Sequence, residues 1–127
     1  MLIDVRKEQR RHKSMDREKL STILNELSDN IQNLLGEKLD KIVLYGSCAR
    51  GDNTQESDVD VLVMTVLSQQ ENRMYRHELN LIFSRVGLKY DALLSMFLID
   101  KASYESWIDV NPFYQNIEKD GIIIYAA

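Results

Sequence analysis

Two apolar runs, KIVLYG (41–46) and DVDVLVMTV (58–66), stand on either side of a polar loop, and past the two leading acids of the second, Val61-Leu62-Val63-Met64 shows no polar alternation. Runs of this kind read as strands buried on both faces, so the chain must cover one sheet from two sides. The rest of the sequence supplies the cover. From Asp16 to Gly36 the residues Leu20, Ile23, Leu24, Leu27, Ile31, Leu34 and Leu35 recur at helical spacing, with Gly36 as a stop. Gln69 to Val86 reads as a second amphipathic helix ending near Gly87, and KYDALLSMFLI (89–99) as a third strand. A short helix is expected over 101–108. Pro112 then opens a last helix that stops at Gly121, and IIIY (122–125) is a short strand or buried tail. The order indicates one sheet with helices packed against it, an α+β or mixed α/β domain.

A chain of 127 residues fits a single domain with a modest core, and a site needing two lobes would borrow one from another chain. The net charge of −4 gives no bulk attraction for nucleic acid. Cys48 is the sole cysteine, which excludes an internal disulfide and a cysteine-based zinc site. No apolar run approaches the roughly 20 residues of a membrane span, and the start lacks the apolar stretch of a secretory signal, so a cytoplasmic location is expected. Residues 1–15 read as a polar, basic, solvated lead-in, and Met15 would itself make a natural start. The domain is expected over 16–127.

The chemistry concentrates in LYGSCARGDNTQESDVDVLV (44–63). Asp58 and Asp60, at i and i+2 of a strand, share one face. Two neighbouring carboxylates repel and lose hydration at the mouth of a core strand, whereas surface acids would be screened by water. A divalent cation resolves the conflict, and Mg²⁺ commonly takes one or two carboxylates plus substrate phosphates. Gly46 lets the backbone turn sharply beside a ligand, and Ser47 adds a hydroxyl and an N–H to an anion cradle. A phosphate cradle facing paired acids describes a nucleoside triphosphate site. An EF-hand loop does not fit, since no glycine stands at the turn and no glutamate closes the loop; a Walker A loop lacks its Gly-Lys-Ser/Thr. The string Gly-Ser-x10-Asp-x-Asp occurs by chance in on the order of one chain in a thousand.

With these residues the chain resembles the nucleotidyltransferases of the DNA polymerase β superfamily. With its tail NPFYQNIEKDGIIIYA it resembles more narrowly the minimal nucleotidyltransferases, many of which are antitoxins encoded beside helical HEPN toxins. The resemblance implies a small mixed sheet flanked by helices. It also implies Mg²⁺-dependent transfer of AMP from ATP to a hydroxyl, with two ions. Gly46 and Ser47 match the triphosphate-holding residues, Asp58 and Asp60 the metal ligands, and Asp91, at the head of the third strand, the third acid. Cys48 departs from the pattern, standing where family members often carry Arg.

Arg50 would either contact phosphate or pair with Asp52 or Glu56. Cys48 reads as a passive loop residue, His77 as a solvated or capped helix residue, and Trp107, Phe113 and Tyr114 as packing for the C-terminal segment. The expected acceptor is a tyrosine of a HEPN toxin, because a chain without an acceptor-binding lobe needs an acceptor that brings its own surface. Two alternatives are transfer to a small molecule such as an aminoglycoside, with a homodimer building the pocket, and a toxin-binding antitoxin without catalysis.

Overall fold

The computed structural model describes residues 16–54 and 57–127. The basic lead-in therefore lies outside the described residues. Helix α1 spans Arg17–Leu35, where the Asp16 side chain accepts the Lys19 N–H at 2.7 Å and starts the helix. A 3-10 turn at Gly36–Lys38 leads into strand β1, Leu39–Tyr45. A one-turn helix α2, Ser47–Arg50, follows at once and was not legible in the sequence. Strand β2 is Val59–Thr65, helix α3 Gln69–Tyr90, strand β3 Leu94–Asp100, helix α4 Lys101–Trp107, helix α5 Pro112–Asp120, and strand β4 Ile122–Ala126.

The four strands form one mixed sheet in the order β3-β2-β1-β4. Strand β1 runs antiparallel to both β2 and β4, while β2 and β3 are parallel. A parallel pair needs a long crossover, and α3 supplies it. The central strands are buried on both faces, as their unbroken apolar pattern requires. Ile42, Leu44, Val59, Val61 and Val63 pack beneath α1 and α3. Val43, Leu62, Met64 and Ile99 pack beneath α4 and α5, with Tyr104 and Ile117. Each such side chain contributes about 1.5–3 kcal/mol by leaving water.

Two boundaries differ from the sequence expectation. Helix α3 does not stop at Gly87 but runs on to Tyr90. It closes in a Schellman motif: the Ala92 N–H donates to Gly87 O at 2.9 Å, and the Asp91 N–H to Leu88 O at 3.4 Å. Gly87 is glycine for packing, since a Cβ there would meet Ala92 O at 2.8 Å. Strand β3 consequently begins at Leu94, and Asp91 caps a helix instead of heading a strand.

Candidate active site

Antiparallel pairing of β1 with β2 brings the end of one strand against the start of the other. Tyr45 is the register partner of Asp60, and Gly46 follows directly. Gly46 has φ 74° and ψ −157°, a region open essentially to glycine alone. Its second requirement comes from β2: a Cβ on Gly46 would overlap Asp60 Oδ2. The Asp60 carboxylate therefore rests on the glycine turn, and the acid and the turn form one unit.

Helix α2 begins at this turn. The N–H groups of Ala49 and Arg50 both donate to Gly46 O, at 3.1 and 3.2 Å, and Asp52 N–H donates to Ser47 O at 3.2 Å. The first N–H groups of a helix have no partner within it, which leaves those of Ser47 and Cys48 for an incoming anion. Cys48 is not a passive loop residue. It is buried in the core, and its Sγ donates to Asp58 O at 3.6 Å, tying α2 to the mouth of β2. Burial first, then the charge of Asp60, pushes its thiol pKa up, so it stays a neutral thiol.

Asp58 is exposed and Asp60 half-buried, both on the face covered by α4 and α5. The Asp60 pKa is raised, mainly by burial and then by the charge of Asp58, against which Arg50 acts. Burial, with the charge of Asp60 added, pushes Tyr45 up to about 12. Arg50 pairs with Asp52, Nε to Oδ2 at 3.3 Å, in an exposed arrangement that also places its charge in the field of Asp60. A crowded, partly desolvated pair of acids beside open N–H groups fits a magnesium ion held jointly with phosphate oxygens.

The structure brings Gly46, Ser47, Arg50, Asp58 and Asp60 together. It does not bring Asp91 to them. Asp91 sits at φ 50° on the C-terminal end of α3 and lines a separate recess of about 590 Å³ with Arg76, Asn80 and Ser84. Among the described residues no group of three His, Cys, Asp or Glu side chains is placed to hold a metal ion. The neighbour of Asp60 on β3 is Ser95. Sequence reasoning missed Ser95 because the third strand was started too early; counting from Leu94, which pairs with Val59, would have found it.

Among the aromatic residues, Tyr114 packs as expected, stacking on Tyr104 at 4.9 Å between centroids. Phe113 covers Tyr45 edge-on at 5.6 Å and stays 45% exposed, and Trp107 is 58% exposed. His77 is exposed on α3. No helix among the described residues is long and apolar enough to cross a membrane.

Residues 18–123 match the nucleotidyltransferase domain model. The chain is 39% identical over 87 residues to the "Putative protein adenylyltransferase MJ0141" of Methanocaldococcus jannaschii, covering 68% of this chain and 86% of that one. It is 32% identical over 112 residues to MJ1305 of the same organism, described in the same words, covering 87% and 75%. A solved toxin–antitoxin structure with AMP-PNP aligns at 20% identity and a TM-score of 0.46, covering 89% and 75%, a likeness too loose to carry a role across. The chain belongs to the nucleotidyltransferase domain family and is a nucleotidyl-transferring enzyme.

Proposed function

We propose that the protein transfers AMP from ATP to a hydroxyl of a partner protein. The observation that carries this reading is the seating of the Asp60 carboxylate on the Gly46 turn, which fixes the acids against the phosphate cradle. The relatives described as protein adenylyltransferases support AMP as the group and protein as the acceptor.

In this reading the N–H groups of Ser47 and Cys48 and the Ser47 hydroxyl hold the triphosphate, and Arg50 adds positive charge beside it. Asp58 and Asp60 hold magnesium, which when bound neutralises phosphate charge and acidifies the acceptor hydroxyl. Tyr45, held neutral, stands beside Asp60 in the sheet, and the half-exposed ring of Phe113 covers Tyr45. Positioning and charge neutralisation do most of the work in such transfers.

The finer assignment is a tyrosine of a HEPN toxin, with the protein acting as antitoxin. Incubation with α-labelled ATP, Mg²⁺ and the product of the neighbouring gene tests it. Label on a tyrosine of that partner, lost in Asp58→Asn, is expected. If label reaches water or small alcohols but no protein, the acceptor class is wrong.

A further inference from the structure

The edge of a sheet carries unpaired backbone groups, and proteins blunt it with short strands, bulges, prolines or charges. Strand β4, at one edge, is five residues long and pairs with β1 through a register shift between Ile42 and Val43. Strand β3, at the other edge, carries no such device. Its seven residues pair with β2 in unbroken register, and LSMFLI (94–99) holds neither a charge nor a proline. Among the described residues, no backbone N–H or C=O of residues 94–98 makes a backbone bond outside the β2–β3 ladder.

The outer side of β3 is a groove. Two recesses of about 590 and 370 Å³ follow one another along it, walled by Leu94 and Met96 in the first and by residues 97–100 in the second. Arg76 lines both. At the Asp100 end, Gln69 Nε2 donates to Ser103 Oγ at 3.4 Å and spans the groove. The other end is open, and Leu93 there is 68% exposed.

Charge selects the occupant. Arg73 and Arg76 stand exposed on the α3 wall, and neither has an ion-pair partner among the described residues. The acids of the lining do not offset them. Asp100 is buried and caps α4 through the Ser103 N–H, and Asp91 lies about four helical turns along α3 from Arg76. The α4 wall presents Trp107, the side-chain type that most often anchors interfaces. An extended segment with acidic side chains toward α3 and apolar ones toward Trp107 matches both walls. A second copy does not, because pairing two β3 edges about a two-fold axis brings the arginines of one α3 toward those of the other. The basic residues 1–15 repeat the same sign.

We propose that the β3 edge binds an extended acidic segment of a partner protein as an added strand, and that this partner is the one that receives the nucleotide. The second half rests on the nucleotidyl-transfer reading. Register links the two: Ser95 is the neighbour of Asp60, so the added strand lies two strand spacings, about 10 Å, from the strand of the acids. A hydroxyl-bearing side chain opposite Ser95 points to the same face as Asp60. Main-chain bonds supply affinity in such docking, and alternate side chains supply specificity.

The test uses the intact chain and a blocked peptide of alternating valine and glutamate with a central tyrosine. Trp107 is the sole tryptophan, so its emission reports occupancy of the groove. A saturable change is expected, half complete below about 1 mM. The Arg73→Glu/Arg76→Glu variant, altered at exposed positions, should bind about tenfold more weakly and prefer the same peptide with lysine for glutamate. Of two peptides N-methylated at alternate residues, one should lose binding and the other keep it, since one set of N–H groups faces β3. Label transfer from ATP to the product of the neighbouring gene should fall about tenfold in the variant, with AMP-PNP retention unchanged. No response to the glutamate peptide up to about 1 mM overturns the docking site. Equal tolerance of both N-methylated peptides overturns strand addition. A dimer of the free protein that the peptide dissociates assigns the edge to a second copy and overturns the partner segment. Undiminished label transfer in the variant overturns the identity of docked protein and acceptor. Absence of label from every protein with wild type instead overturns the transfer reading, while the peptide measurement, made without ATP, still decides the docking.

Discussion

Replacing Gly46 by alanine tests the seating of Asp60 directly, because two separate costs are built into that position. The backbone stands at φ 74° and ψ −157°, where a residue with a Cβ loses about 1–3 kcal/mol. The new methyl also overlaps Asp60 Oδ2, so the carboxylate must move or the turn must open. A double-mutant cycle separates the two. In the Asp60→Ala background the backbone cost remains but the carboxylate is gone. Gly46→Ala should therefore be more destabilising in the wild-type background than in the Asp60→Ala background, by a coupling of about 0.5–3 kcal/mol. Urea unfolding of the four proteins in EDTA gives the numbers. The single variant should also lose roughly 4 °C of Tm per kcal/mol. Nucleotide retention should fall in step, since the cradle opens from the same turn. Equal cost in both backgrounds would refute the claim that the acid and the turn are one unit, and a Gly46→Ala protein as stable as wild type would refute the backbone reading too.

Four further outcomes are expected. In EDTA, Asp60→Asn should be more stable than wild type at pH 7: the native pKa is raised above 3.8, so ionisation penalises the fold at higher pH, and the gain should vanish below pH 3.8, where both states are protonated. Asp91→Gly should gain up to about 1 kcal/mol by relieving a left-handed backbone, with label transfer unchanged; loss of transfer would place Asp91 in the site after all. Asn72→Ala should cost about 1–3 kcal/mol in urea unfolding, because the buried Thr65 hydroxyl, donating to Asn72 Oδ1 at 2.6 Å, loses its acceptor. Tyr104→Phe should cost about 1 kcal/mol in the same assay, since its hydroxyl donates to Glu118 Oε1 at 2.8 Å on the edge of the second core.

The parts of the fold that sequence revealed are those governed by local pattern. The apolar periodicity of α1, the unbroken runs of β1 and β2, and Pro112 at the start of α5 each follow from neighbours in the chain. The end of α3 is not legible because Gly87 reads locally as a terminator, whereas its small size serves the returning Ala92 backbone. That is a tertiary requirement, invisible in the run of residues. The same error moved the third strand forward and placed Asp91 at its head. In the site, Gly46, Ser47, Asp58 and Asp60 were legible because a single turn and a two-residue strand period relate them. Tyr45 and Ser95 were not, since only strand register places them beside Asp60. Helix α2 escaped notice because four residues carry no periodicity.

The pairing of β1 with β2 has a consequence for how this enzyme comes into being. Turn, cradle and both acids lie within Gly46 to Asp60, on adjoining antiparallel strands, so the site closes over one short loop and asks little chain entropy of the rest of the molecule. Among the described residues the paired acids and the glycine turn come from this hairpin, while α1, α3, α4 and α5 cover the sheet, α5 adding the Phe113 ring over Tyr45. Their exposed faces can thus change while the reactive hairpin is inherited whole, so long as the core residues beneath them are kept.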